Sequence, residues 1–336
     1  MRYETFKASA YKNKYEIAIE TESERISYGD LLKTVTAFYN SLCQMSLCDK
    51  TVAIFTGACP ETVAAVFGAL RANCRCVVMS PSGNLERINR SLSNYRPDIA
   101  IVYSGHLNRL APSLMAFGTT CAVTIGEKAP EQQYLPSVYS FDELVEINDY
   151  TIQATDGKNG QLVFESASDA FEHTAAIKSL GKRDGILFDF PLYTADSYCA
   201  LGDALENGKK CVFLASSDKK LVKKKKVKLA LVGGAKTELG CDTVPLGTND
   251  VIAVQNQILY VKNAEQYLFE QCGYPVKLLY DGIKLKVYVA LGRDVDVSAV
   301  SSSPLASAFA DACKEAFYAI NCTKSLIFKK QIDYNN

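Results

Sequence analysis

Residues 51–79 read TVAIFTGACPETVAAVFGALRANCRCVVM, and their pattern decides the fold class. Thr51–Phe55 is a mostly apolar run of strand length without polar alternation, as a strand buried on both faces requires. Pro60 stands where a first helical residue stands, because its missing N–H has no intrahelical partner to lose there. Val63, Ala64, Phe67 and Leu70 then recur at helical spacing and give that helix an apolar face. Cys76–Met79 is a second buried run. Strand, helix and strand in close succession form a crossover unit, which joins parallel strands.

The same rhythm extends outward from this unit. Upstream, Tyr15–Ile19 and Glu24–Ser27 pattern as a short hairpin. Ser27, with Asp30 three residues on, then opens a helix whose apolar face is Leu31, Val35, Phe38, Leu42 and Met45. Downstream, Asn84 caps a helix through Leu92, and Ile99–Tyr103 is another strand. A second run follows: strand Gln161–Phe164, a helix from about Asp169, strand Gly185–Phe190, helix Ala195–Glu206 and strand Cys211–Ala215. Residues 126–160 are polar, carry Pro130, Pro136 and Gly157, and read as a loose connection. Near the C-terminus, helix Asn263–Cys272 precedes strands Val276–Tyr280 and Ile283–Leu291, which flank the hairpin signal Asp281-Gly282. A helix Pro304–Ile320 and a strand Ser325–Lys329 complete that part.

The expected fold is therefore α/β, with mostly parallel sheets flanked by helices and a small C-terminal α+β domain. Its expected parts are a first α/β subdomain over residues 1–125, a second over 126–250, and the C-terminal domain over 255–336. Residues 216–250 join the last of these to the body and read as an exposed, protease-sensitive connection.

Composition narrows the function. Acidic and basic residues balance at 37 each, so no net charge draws the chain to nucleic acid or an anionic membrane. No stretch is long and apolar enough to span a bilayer. The opening Met1-Arg2-Tyr3-Glu4 leads into no apolar signal segment. The 12 cysteines sit in apolar runs or on helices, so a reducing cytoplasm is expected, with Cys43, Cys121, Cys211 and Cys313 as buried free thiols.

Few residues pattern as chemistry. The two histidines, His106 and His173, are far apart, and no Cys-x-x-Cys occurs, so no zinc site is expected. Ser168, Asp169 and His173 cluster without a nucleophile elbow, and His173 reads as a helix-surface residue. Asp294 and Asp296 form an Mg²⁺ candidate that an exposed strand end explains equally well. Gly233-Gly234 follows the apolar run Leu229–Val232, either beside a ligand or merely as the turn that ends a strand. The run Lys219–Lys228 lacks interleaved aromatics and reads as a solvated loop or helix end, which argues against nucleic acid.

Several stretches resemble the adenylate-forming ligases, the group of acyl-CoA synthetases, aryl-acid ligases and peptide-synthetase adenylation domains. They are Ile17-Ala18-Ile19, Ile26–Leu31, Thr51–Phe55, Pro60–Val63 and Phe67–Ala72, in the family's order and spacing. Asp184–Leu214 is similar to a later stretch of the family, and Asn263-Ala264-Glu265 stands near the start of its mobile small domain. The resemblance implies an enzyme that takes ATP, Mg²⁺ and CoA. The departures point elsewhere. The family's glycine-rich phosphate loop is replaced by Glu165–Glu172, which has three acids, no glycine and no lysine. Gly233, Gly234, Thr237 and Glu238 are at most a remnant of a nucleotide-binding set, and the family's catalytic lysine has no counterpart before Asn336. No catalytic residue, metal ligand or cofactor is assigned on this reading. The chain is expected to bind an acyl or aryl small molecule, a carrier protein or a complete ligase. The alternative is a divergent active ligase, working alone or completed by a second chain.

Overall fold

The computed structural model describes residues 1–126, 134–146, 159–165, 173–181, 184–190, 192–214, 219–232, 239–245, 251–254, 257–280, 284–292, 297–300, 303–320 and 322–330. The chain divides into two compact units, Met1–Ser80 with Asn89–Leu246, and Pro81–Ile88 with Gly247–Asn336.

The first unit holds α1 (Tyr3–Lys12), β1 (Ile17–Glu20), β2 (Arg25–Ser27), α2 (Tyr28–Gln44), β3 (Thr51–Phe55), α3 (Pro60–Arg71) and β4 (Arg75–Val78). Helix α4 (Leu85–Tyr95) has its first turn in the second unit. The first unit continues with β5 (Ile99–Tyr103), α5 (Ser104–Ala116), β6 (Cys121–Ile125), β7 (Ser137–Ser140), α6 (Phe141–Glu146), β8 (Gln161–Phe164) and α7 (His173–Ser179). It closes with β9 (Gly185–Asp189), α8 (Ala195–Glu206), β10 (Lys210–Val212), α9 (Lys219–Lys224), β11 (Val227–Val232) and β12 (Asp242–Pro245).

Two six-stranded sheets organise these elements. One has the order β7-β6-β5-β3-β4-β8 and is parallel throughout. The other has the order β12-β11-β9-β10-β1-β2 and is parallel except for the β1–β2 hairpin. The crossover predicted from residues 51–79 is present, with β3 beside β4 and α3 between them in sequence. Cys59 caps α3 through its thiol, which accepts from Thr62 N–H at 3.4 Å. Ser27 caps α2 by accepting from Asp30 N–H at 3.1 Å. Helix α1 ties the helical layers together. It packs on α2, α3 and α8, its Phe6 ring stacks on Phe67 at 4.2 Å, and Ser9 donates to the Leu205 carbonyl at 2.8 Å.

The second unit contains the antiparallel pair β13 (Val251–Val254) and β14 (Gln257–Tyr260), followed by α10 (Val261–Cys272). Then come β15 (Val276–Tyr280), β16 (Lys284–Ala290), α11 (Val297–Val300), α12 (Pro304–Ala316) and β17 (Thr323–Lys329). β15 and β16 are antiparallel and β17 adds to β16 in parallel, a small mixed sheet. Leu278, Leu285, Val287 and Val289 of this sheet share a core with Leu268 of α10 and Phe309 of α12.

Several expectations need correction. The stretch 126–160, read as a loose connection, contains β7, which extends the parallel sheet at one edge, and the helix α6. The stretch 216–250 contains α9, β11 and β12, and within its lysine run Lys225 is buried and ion-paired to Glu20 rather than solvated. Helix α12 ends at Ala316, four residues before Ile320, and Ala319 takes a left-handed φ of 62° that cannot continue a helix. All 12 cysteines are free, as expected, but only Cys121 and Cys211 of the four named thiols are buried; Cys43 and Cys313 are partly exposed.

Candidate functional site

Parallel α/β sheets present ligand-binding loops at the carboxyl ends of their strands. Among those ends in the first unit are Thr56-Gly57 after β3, Tyr103 closing β5, Glu165 after β8, and Phe190 with Leu192–Thr194 after β9.

β8 occupies the edge beside β4, with Cys76 opposite Leu162 and Val78 opposite Phe164. Glu165 follows immediately, and its carboxylate accepts a hydrogen bond from the Ser91 hydroxyl at 2.5 Å. The remainder of the loop, residues 166–172, lies outside the described residues, and α7 begins at His173.

Beside this strand end lies a buried cluster of hydroxyl and thiol groups. A methyl group placed on Gly57 would meet the Tyr193 hydroxyl at 3.5 Å and that of Tyr103 at 3.7 Å, so both phenols converge on one stretch of glycine backbone. The Tyr103 hydroxyl is hydrogen-bonded to the Cys59 thiol. The Tyr198 ring lies 5.6 Å from that of Phe164, the last residue of β8. The Thr56 and Tyr198 hydroxyls are fully buried and have no hydrogen-bond partner among the described residues. Helix α8 is aimed from this region by a capping box, in which Thr194 accepts from Ser197 N–H and Ser197 accepts from Thr194 N–H, both at 3.3 Å.

The electrostatics of the cluster are neutral. Burial pushes the Cys59 thiol up to about 12, aided by Glu61. Burial likewise raises the Tyr103 and Tyr198 phenols well above their ordinary value. His106, whose ring stands edge-on to Tyr103 at 6.4 Å, is held below the usual imidazole value by burial and then by Arg109. At neutral pH these groups are therefore protonated thiol and phenols beside an uncharged imidazole. They can donate and accept hydrogen bonds, but they supply no thiolate or phenolate nucleophile.

Of the residues singled out from sequence, Gly233, Gly234, Thr237 and Glu238 lie outside the described residues, as do Asp294 and Asp296. Val232 closes β11 directly before the glycine pair. No group of three or more His, Cys, Asp and Glu among the described residues is placed to hold a metal, and none of their helices is long and apolar enough to cross a membrane. Sequence reasoning missed the Gly57 cluster. Its signal was Thr56-Gly57 directly after an apolar strand; the tyrosines that complete it come from distant segments.

This pairing of parallel sheets with a small mixed-sheet unit is the architecture of solved adenylate-forming ligases. The anthranilate CoA ligase AuaEII, solved in complex with anthranoyl-AMP, superposes with a TM-score of 0.59 at 12% identity, over 98% of this chain and 93% of that one. MatB from Rhodopseudomonas palustris gives 0.56 at 11% identity, over 100% and 96%. The luciferase-like enzyme of the mealworm Zophobas morio gives 0.60 at 14%, over 76% and 67%. At such identities the likeness is one of fold. The model of the AMP-binding enzyme family matches residues 6–176, and the chain belongs to that family. No curated protein sequence matches it.

Proposed function

We propose that this chain is a member of the AMP-binding enzyme family that keeps the scaffold without autonomous adenylation, and that it acts by binding. The observation that carries the reading is the segment Glu165–Glu172. It follows β8 at the position of the family's phosphate loop, yet it holds three carboxylates and neither glycine nor lysine. Glycine lets backbone N–H groups approach a phosphate, and lysine neutralises it; carboxylates repel it. The hydrogen bond from Ser91 holds the Glu165 carboxylate at the entrance of that segment.

The Gly57 cluster supports a small organic acid as the ligand. Buried hydroxyls without partners are costly, and a polar group on a small organic molecule would satisfy those of Thr56 and Tyr198. An acyl or aryl acid of the kind the anthranilate ligase's name implies fits that chemistry. Binding to a carrier protein or to a complete ligase is compatible with the same reading.

Calorimetric titration with Mg·ATP at millimolar concentration tests it, with no saturable heat expected. Saturable binding, together with release of pyrophosphate in the presence of a carboxylic acid, would overturn the proposal in favour of a divergent active ligase.

A further inference from the structure

The C-terminal end of α2 brings two cysteines together. Ser46 takes a left-handed φ of 58°, Leu47 N–H donates to the Leu42 carbonyl at 2.8 Å, and Ser46 N–H donates to that of Cys43 at 3.0 Å. This pair of bonds is a Schellman motif, with serine at the position that glycine usually fills. The motif reverses the chain and carries Cys48 back over the last turn of the helix. The two sulfur atoms, Cys43 Sγ and Cys48 Sγ, lie 2.9 Å apart, and both residues are partly exposed. An S–S bond is about 2.0 Å long, so closure asks the sulfurs to approach by under ~1 Å. The third thiol nearby does not compete. Cys74 is fully buried, and its Sγ lies 3.4 Å from the Leu47 carbonyl, which it engages as a donor.

We propose that Cys43 and Cys48 form a reversible intrachain disulfide, a redox modification site at the junction of α2 and β3. The oxidant class is a low-molecular-weight disulfide such as glutathione disulfide. One protein thiolate attacks a glutathione sulfur; the glutathione S–S bond breaks, and one glutathione thiolate leaves with the electron pair. The neighbouring protein thiolate then attacks the mixed disulfide at the protein sulfur and expels the second glutathione. The two protein thiols have lost two electrons and two protons, and the oxidant has become two glutathione thiols. Burial, and then the Cys43 thiol beside it, push the Cys48 thiol up to about 12, so closure accelerates as pH rises. The site is independent of whether the chain adenylates.

The test uses the full chain equilibrated in glutathione redox buffers, alkylated under denaturing conditions and digested with trypsin. No lysine or arginine lies between the two cysteines, so both fall on the single peptide Thr34–Lys50, which holds no other cysteine. The expected result is loss of both alkylation sites from that peptide, with a mass lower by two hydrogens, reversed by dithiothreitol. In the reduced protein, phenylarsine oxide, which bridges neighbouring thiols, is expected to protect the same pair from alkylation. Cys43→Ser or Cys48→Ser should replace the disulfide with a stable glutathione adduct on the remaining cysteine. A persistent glutathione adduct on the wild-type peptide, continued alkylation of both sites in excess oxidant, or a disulfide to a third cysteine in either variant would overturn the proposal.

Discussion

Glu20 is 2% exposed, and its carboxylate accepts from Lys210 at 2.7 Å and from Arg25 at 2.9 Å, with Lys225 Nζ at 3.3 Å. Burial alone would raise its pKa; the hydrogen bonds from Lys210 and Arg25 outweigh burial and hold the carboxyl below its ordinary 4.5. A carboxyl depressed in the folded state contributes stability that is present above its unfolded value and is lost as pH falls through the folded one. Stability should therefore decline below about pH 4.5 and keep falling toward the folded value. Glu20→Gln leaves two buried ammonium groups without their counter-charge and should cost about 3 kcal/mol at neutral pH, with a shallower acid limb. Urea unfolding at neutral and acid pH measures both, and a Gln variant as stable as wild type at neutral pH would remove the cluster's role. The lysine run was conspicuous in the sequence, yet its solvated reading failed at Lys225, because the partner lies some two hundred residues away and periodicity carries no information about it. Thiols were legible where strand context decided burial, as at Cys121 and Cys211, and not at Cys43, which sits at a helix end beside a turn.

Among the elements, the buried parallel strands were readable because a strand covered on both faces needs a continuous apolar run of strand length. Elements with weaker signatures were not. Helix α5 contains Pro112, an interior proline that argues against a helix from sequence, and its N-cap makes no side-chain hydrogen bond. β7 and α6 lie in a polar stretch, where β7 is held by its ladder to β6 and α6 by Phe141 packing against Phe38 of α2. The chain enters β8 through a glycine in close backbone quarters. Gly160 N–H donates to the Leu70 carbonyl at 2.8 Å, and a methyl group there would sit 2.2 Å from the Cys74 carbonyl oxygen, with main chain on both sides of the clash. Backbone cannot swing aside as a side chain does, so Gly160→Ala should cost about 2 kcal/mol or more. It should also raise amide exchange in β8 ahead of the rest of the sheet. A Gly160→Ala protein with unchanged melting temperature and β8 protection would show that the approach is not tight. Phe6→Ala on α1 should cost about 3 kcal/mol by opening a cavity against Phe67, read by the same unfolding experiments.

For the whole molecule, alternating strand and helix patterns yielded the α/β class and the C-terminal α+β part. The candidate site stayed hidden, because Gly57, Tyr103, Tyr193 and Tyr198 meet only after two sheets have formed. The segment Pro81–Ile88 was hidden for a similar reason. It runs in sequence from just after β4 through the first turn of α4, yet it belongs to the second compact unit. Gly83 N–H donates to the Tyr318 carbonyl at 3.1 Å, Leu85 N–H donates to the Glu315 carboxylate at 3.1 Å, and the Arg87 guanidinium stacks 4.6 Å above the Tyr260 ring. The second unit is thus built from two stretches of chain, and a cut in the later connection severs only one of its covalent links. A specific protease site introduced between Leu246 and Val251 should give two polypeptides on a denaturing gel that elute together on native size exclusion. Replacing Arg87 with Ala and Gly83 with Pro in the nicked protein, which removes the stacked cation and the donated N–H, should release the C-terminal fragment. Release from the nicked protein without those substitutions would mean that Pro81–Ile88 contributes little, and that residues 247–336 hold together as a unit of their own.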